Sequence, residues 1–121
     1  MIKGLGTVIY HVSDLNRAKA WYAAAFQQKP YFDQPFYVGF NIQGYELGLD
    51  PGQSVNRQGP GGTVAYWRVA NIEDAVQHFI RSGATIVTAV QDVGDEIKVA
   101  SVADPFGNTI GLIDNPHFEL P

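Results

Sequence analysis

The two halves of the 121-residue sequence repeat one pattern at a constant offset of 57 residues. In each half, strand-like alternation leads to an N-capping residue and then to apolar residues at helical spacing. The equivalent pairs are Val12 and Val69, Asp14 and Asn71, Leu15 and Ile72, Ala18 and Ala75, and Tyr22 and Phe79. The agreement of strand, cap and helix face indicates a duplicated module. Because half of such a sheet cannot bury its own face, the two modules are expected to pair.

Each module is predicted to run β-α-β-β-β within a single domain of residues 1–121. Module 1 covers about residues 1–50 and module 2 about residues 63–115. Between them, residues 51–62 read PGQSVNRQGPGG, which is rich in glycine and proline and nearly free of apolar residues. This composition is typical of a linker.

The helices and strands follow from caps and periodicity. Asp14 is the predicted N-cap of a helix from Leu15 to about Gln27, and Asn71 is the predicted N-cap of the equivalent helix, with Gly83 as its stop signal. The Gln43-Gly44 pair is predicted to form a hairpin turn. The runs with strand character are 5–12, 36–42, 45–50, 63–69, 84–90, 96–103 and 109–114.

Composition limits the classes of function. Eight Lys and Arg residues against 12 Asp and Glu residues give a net charge of −4, with no basic stripe, so nucleic acid is not an expected partner. No apolar run is long enough to span a membrane, and the N-terminus lacks a signal-peptide pattern, so no membrane partner is expected. The absence of cysteine excludes thiolate metal sites and favours a cytoplasmic protein.

The repeated module, the helix entry HVSDLNRAKAWYAAAF and the late segment DPFGNTIGLID resemble the vicinal oxygen chelate superfamily. That superfamily includes glyoxalase I, bleomycin-resistance proteins, fosfomycin-resistance enzymes and extradiol dioxygenases. The resemblance covers nearly the whole chain and implies an α+β fold, in which two modules form a curved, cup-shaped mixed sheet with the helices outside. It also implies a homodimer, because small members commonly pair and short strands leave open edges.

Enzymes of that superfamily hold a divalent metal on one inward-facing His, Glu or Gln side chain from each of four strands. By the resemblance, these positions fall on Thr7, Gly48, Val64 and Gly111. A two-residue shift in the fourth strand would put Glu46 in place of Gly48. Valine and glycine have no donor atom, and His11 lies about 13 Å beyond Thr7 along an extended strand. We therefore expect no metal and no cofactor, with Gly48 and Gly111 leaving space for an organic ligand. The alternative is that Gly111 only permits close packing between strands.

Strand alternation predicts which side chains line the cup. Tyr10 and Val12 belong to the more apolar face of the first strand, so the opposite face should be concave. The predicted ligand-binding residues are Thr7, Ile9, His11, Phe40, Glu46, Gly48, Tyr66, Arg68 and Gly111. His11 and Arg68 are equivalent in the two modules and favour a ligand that bears a carboxylate or another anion. The alternatives are a structural His11, an Arg68 paired with Glu46 or Asp50, and aromatic residues that belong to the core.

Three functions are compatible with these residues. The favoured one is a metal-free binding protein of the bleomycin-resistance type, which holds a small organic molecule in the concave sheet. The second is a glyoxalase-like lyase, isomerase or dioxygenase, which the scaffold favours and the four metal positions oppose. The third is a metal-free enzyme with His11 as general base and Arg68 binding an anionic substrate. No other catalytic residue is predicted.

Overall fold

The structure of the chain, a computed structural model, describes residue 5, residues 7–51 and residues 64–117. It divides into two compact units, Met1–Arg57 and Gln58–Pro121. The predicted linker, 51–62, lies outside the described residues except for Pro51. Neither helix of the described ranges is long and apolar enough to cross a membrane.

The first unit has the element order β-α-β-β-β. Its elements are β1 (Thr7–His11), α1 (Leu15–Ala25), β2 (Pro30–Gln34), β3 (Tyr37–Ile42) and β4 (Tyr45–Asp50). The four strands form one mixed sheet in the order β1-β4-β3-β2, in which β1 runs parallel to β4 and the other neighbours are antiparallel. The β3–β4 turn has positive φ angles of 54° at Gln43 and 95° at Gly44, as the predicted two-residue hairpin requires.

Helix α1 begins where the sequence predicts. The Asp14 side chain accepts a hydrogen bond of 3.1 Å from the backbone N–H of Arg17, which satisfies one of the otherwise unpaired donors of the first turn. Ala18 and Tyr22 on the inner face are fully buried, and the Tyr22 ring stacks on Tyr10 of β1 at a centroid distance of 5.7 Å. This packing fixes which face of the sheet lies under the helix.

The second unit repeats this order. Its elements are β5 (Tyr66–Arg68), α2 (Ile72–Arg81), β6 (Thr85–Gly94), β7 (Ile97–Ala103) and β8 (Thr109–Asp114). The sheet order is β5-β8-β7-β6, with β5 parallel to β8. The Asn71 side chain caps α2 by accepting a 3.0 Å hydrogen bond from the backbone N–H of Asp74, and Phe79 on the inner face is 5% exposed.

The predicted α+β class with two β-α-β-β-β modules is confirmed. β2 was not among the strands predicted from the sequence, because prolines flank its apolar residues and Pro30 begins it. It pairs with only one neighbour, β3, and edge strands of this kind tolerate proline. The pairing of the two modules into one cup stays a prediction.

Candidate functional site

The face of the first sheet opposite α1 carries the candidate site. The β1–β4 register places Thr7 beside Glu46, Ile9 beside Gly48 and His11 beside Asp50. Because directly paired residues point to the same face of a sheet, all six positions share this surface. In the second unit Gly111 lies beside Tyr66, the module equivalent of Ile9, so Gly48 and Gly111 occupy equivalent positions in the two sheets.

The Glu46 carboxylate accepts three hydroxyl hydrogen bonds. Its Oε1 atom accepts from Thr7 Oγ1 at 2.7 Å and from the Tyr37 hydroxyl at 2.8 Å. Its Oε2 atom accepts from the Tyr31 hydroxyl. The three donors come from β1, β2 and β3, so this carboxylate links all three of the other strands of the sheet to β4.

Two glycines and a β-bulge allow these tyrosines to reach Glu46. A Cβ atom on Gly48 would lie 1.8 Å from the Tyr37 hydroxyl oxygen, and one on Gly39 would lie 3.0 Å from both Tyr31 Cε1 and Glu46 Oε2. The β2–β3 register shifts between Pro30 and Phe32, which leaves Tyr31 as an extra residue. Such a bulge redirects a side chain, and here it brings Tyr31 onto the face of Glu46.

These contacts shift the pKa of each titrating group in a defined direction. The hydrogen bonds from Thr7, Tyr31 and Tyr37 lower the pKa of Glu46 below its ordinary value of 4.5, against a smaller opposing effect of burial. The hydrogen bond to Glu46 raises the pKa of Tyr31, and burial followed by the same type of bond raises the pKa of Tyr37. Both phenols are therefore protonated donors and Glu46 is ionised at neutral pH.

Aromatic and apolar side chains surround this carboxylate. The Phe32 ring contacts Phe36 and Tyr37 edge to face, each at a centroid distance of 6.1 Å. Tyr31 is 62% exposed, Phe36 is 66% exposed and Ile9 is 44% exposed. The surface thus combines exposed rings with one fixed negative charge, and most of it comes from the segment 31–37.

Of the predicted ligand-binding residues, His11 lies on the site face and Phe40 does not. The Nδ1 atom of His11 lies 3.9 Å from Oδ2 of Asp50, so this histidine faces a carboxylate on its own sheet. Phe40 is fully buried and pairs with Leu47 in the core under α1. The prediction that Phe40 lines the ligand face is wrong, because it follows Gly39 in the strand and points to the opposite side. The alternative that Phe40 belongs to the core is confirmed.

In the second unit, Tyr66 and Gly111 are cross-strand neighbours. A Cβ atom on Gly111 would lie 2.6 Å from Tyr66 Cδ1 and 2.7 Å from the backbone oxygen of Ala65. The Gly111 N–H also donates to that oxygen at 2.9 Å. The expectation of open space beside Gly48 and Gly111 is therefore wrong, because a tyrosine side chain lies over each glycine. Arg68 is exposed on the same face as Tyr66.

The residues at the family's metal positions do not fit a divalent ion. Gly111 and Val64 supply no donor atom, and the Thr7 hydroxyl is already a hydrogen-bond donor to Glu46. The single carboxylate, Glu46, has three hydroxyl partners, whereas a divalent site draws several ligands to one point. Within residues 7–51 and 64–117, no three His, Asp or Glu side chains come together as a metal-binding group.

A family comparison identifies the scaffold. The model of the glyoxalase/bleomycin resistance protein/dioxygenase superfamily matches residues 4–112. The chain belongs to this superfamily. No curated protein matches it in sequence.

Several solved structures share the glyoxalase-superfamily fold. A glyoxalase-related enzyme from Fulvimarina pelagi is 17% identical, with a TM-score of 0.78 over 99% of this chain and 94% of that one. The fosfomycin resistance protein FosX from Listeria monocytogenes, solved with Mn(II) and sulfate, is 18% identical, with a TM-score of 0.78 over 97% and 94%. TioX from Micromonospora sp. ML1 is 17% identical, with a TM-score of 0.69 over 93% and 98%. At these identities the likeness establishes the fold alone.

Tyr31 and Tyr37 are the site residues that sequence reasoning missed. Their signal was the pair of glycines, Gly39 and Gly48, which are cross-strand neighbours in the register. Two adjacent glycines in a sheet leave room for long side chains from neighbouring positions. The sequence could not predict that the Tyr31 hydroxyl reaches this space, because its position depends on the β-bulge between Pro30 and Phe32.

Proposed function

We propose that this protein is a metal-free binding protein that holds a small organic ligand on the Glu46 face of its first sheet. The observation that supports this most strongly is the Glu46 carboxylate with its three hydroxyl donors. Neutral donors keep the carboxylate ionised and hold it in one orientation. A fixed acceptor of this kind suits the recognition of an organic molecule better than metal chelation.

The surroundings of Glu46 support the same proposal. Small-molecule sites are mostly apolar and aromatic, with a few well-placed polar groups that set orientation. The exposed side chains of Ile9, Tyr31, Phe32 and Phe36 supply the apolar part, and Glu46 supplies the polar part. Contiguous exposed apolar surface marks interaction sites, ligand-binding grooves among them, so these rings support a ligand on this face.

The test is a thermal-shift screen of aromatic and heteroaromatic compounds, run once with a chelator and once with added Mn²⁺ or Zn²⁺. We expect compounds that raise the melting temperature equally in both conditions. Ile9→Lys, which puts a charged and flexible side chain on the exposed position beside Gly48, should weaken such a compound at least about tenfold, because the bound compound would have to desolvate the ammonium. Ala24→Lys, exposed on α1 on the other side of the sheet, should not. Stabilisation that requires metal, or that Ile9→Lys leaves unchanged, would contradict the proposal.

A metal-free enzyme is the second candidate, and the His11–Asp50 pair favours it. A carboxylate beside a histidine can orient the ring and stabilise its protonated form, which is the arrangement of a general base. The distance of 3.9 Å exceeds that of a hydrogen bond, so the pair would have to tighten around a substrate. Turnover of any bound compound, lost in His11→Asn with binding retained, would favour this candidate over the binding protein.

A homodimer and a cytoplasmic location belong to the same proposal. In the ten-residue edge strand β6, the side chains of Ile86, Val87 and Val93 are 51%, 55% and 55% exposed. A second copy of the chain that packs against this edge would bury them. The absence of cysteine supports the location. We expect light scattering to give a dimer mass at micromolar concentration and a lower mass for Val87→Lys. A clean monomer mass for the unmodified chain would contradict the dimer.

A further inference from the structure

We propose that the ligand of the Glu46 face is a flat organic cation, a molecule with a protonated nitrogen attached to an aromatic or heteroaromatic ring system. This inference rests on the proposed function and specifies the chemistry of its ligand. It differs from the sequence-based expectation of an anion, which depended on His11 and Arg68.

The charge on this face is negative. Strands β1 to β4 contain no Lys or Arg. Glu46 and Asp50 both point to the face, and the Nδ1 atom of His11 lies 3.9 Å from Oδ2 of Asp50. Lys19 of α1 pairs with Asp33, which alternates onto the helix side of β2. An anion would therefore meet repulsion here, and a cation would meet attraction.

Glu46 has capacity for one further donor. An ionised carboxylate offers about four lone-pair directions, two on each oxygen. Among the described residues, Oε1 accepts two hydroxyl hydrogen bonds and Oε2 accepts one. All three donors are neutral, so none of them compensates the negative charge. A protonated nitrogen at Oε2 would complete the acceptor set and form a charge-assisted hydrogen bond.

The exposed rings supply the second half of the recognition. Tyr31 donates to Oε2 of Glu46, so its ring lies directly beside the acceptor that has capacity left. Phe32 and Phe36, 38% and 66% exposed, extend the aromatic surface away from the carboxylate. The faces of aromatic rings attract cations within about 6 Å, and they also stack on flat ring systems. A flat cation satisfies both the carboxylate and the rings at once.

The test uses three probes of one shape and different charge. These are 9-aminoacridine, which is a cation at neutral pH, acridine, which is neutral, and acridine-9-carboxylate, which is an anion. Binding is followed by fluorescence at low and at moderate ionic strength. We expect the cation to bind at least about tenfold more tightly than acridine, and the anion to bind most weakly. Added salt should reduce the preference, because it screens charge at an exposed site.

Matched variants assign the preference to Glu46. Glu46→Gln should remove most of the cation's preference over acridine, while Glu73→Gln, the same substitution on α2 of the second unit, should keep the full preference. Phe36→Leu keeps the apolar character but removes an exposed ring, so it should weaken the cation more than acridine. Thermal melts of each variant establish that it folds.

The inference would be overturned by equal binding of the three probes, by tighter binding of the anion, or by a cation preference that Glu46→Gln does not reduce. Absence of binding by all three probes would overturn it as well. The proposed function fails separately: it falls if the thermal-shift screen finds no metal-independent ligand, or if Ile9→Lys leaves the binding of such a ligand unchanged. If the screen finds a neutral or anionic compound whose binding Ile9→Lys weakens, the proposed binding function stands. The proposal of a cationic ligand is then wrong.

Discussion

The hydroxyl oxygen of Tyr37 lies only 1.8 Å from the point where a Cβ atom on Gly48 would stand. The missing side chain at position 48 is thus the condition for the Tyr37–Glu46 hydrogen bond of 2.8 Å. In the second unit, Gly111 stands in the same relationship to Tyr66, with 2.6 Å to the Tyr66 Cδ1 atom. In both sheets a tyrosine side chain lies across a strand glycine, at a position that the family resemblance assigns to a metal ligand.

The first prediction compares alanine at the two glycines, neither of which has a positive φ angle. Gly48→Ala meets the free end of the Tyr37 side chain, which can rotate away at the loss of one hydrogen bond, about 1 kcal/mol. Gly111→Ala also meets the backbone oxygen of Ala65 at 2.7 Å, which cannot move without distorting β5. We expect the second change to cost more, up to about 3 kcal/mol in denaturant melts, as overpacking does. Equal or reversed costs would mean that the backbone near Ala65 adapts.

The second prediction concerns the acid side of the stability profile. Because the pKa of Glu46 in the folded chain lies below 4.5, the network stabilises the fold above that pH, and this contribution is lost as the pH falls through the lowered pKa. Between neutral pH and about pH 3, the unmodified chain should lose more unfolding free energy than Glu46→Gln, measured in urea. Parallel losses in both proteins would show that the three hydrogen bonds do not favour the ionised form.

The third prediction concerns the same network in alkali. The pKa values of Tyr31 and Tyr37 are raised above 10.0, so their contribution to stability is present below that pH and is lost as the pH rises through the raised values. Removing the carboxylate in Glu46→Gln should return both phenols toward ordinary ionisation. The ultraviolet absorbance of tyrosinate should then rise at lower pH than in the unmodified chain. Glu73→Gln serves as the control, and identical titration curves for all three proteins would contradict the network.

The fourth prediction concerns the two helix–sheet cores. Tyr22 is fully buried under the first sheet's helix and Phe79 is 5% exposed under the second's. Truncation of either to alanine should cost about 3–5 kcal/mol, as large aromatic deletions in cores do. Phe36→Ala, at a residue that is 66% exposed, should cost less than about 1 kcal/mol. A cost of that small size for Tyr22 or Phe79 would show that the helix face is misassigned.

The repeated caps and apolar spacings were enough to predict the two modules. Asp14 and Asn71 are separated by the repeat offset, and each side chain caps its own helix as expected. Strand parity also placed Thr7, His11 and Glu46 on one face, because alternation in a strand is fixed once one face is buried. The family resemblance added the positions at which to look for a metal, and Gly111 was the clearest departure.

The predictions that failed depend on geometry that alternation does not contain. The parity of Phe40 could be assigned only once the register with Leu47 was known, because a shift of one residue exchanges the two faces. The bulge at Tyr31 breaks the alternation outright. The two glycines suggested empty space because the side chains that fill it belong to neighbouring strands. Tyr37 of the antiparallel neighbour β3 lies over Gly48, and Tyr66 of the parallel neighbour β5 lies over Gly111.

The central claim is that Glu46 serves as a hydrogen-bonded acceptor and not as a metal ligand. Isothermal titration of the chelator-treated chain with Mn²⁺, Zn²⁺, Ni²⁺ and Fe²⁺, together with elemental analysis of protein purified without added metal, tests it most directly. We expect no stoichiometric metal in the isolated protein and no saturable binding that distinguishes the unmodified chain from Glu46→Gln, since one carboxylate is too small a ligand set. One equivalent of tightly bound metal, lost on Glu46→Gln or Thr7→Ala, would contradict the claim and return the chain to the metal-dependent members of its superfamily.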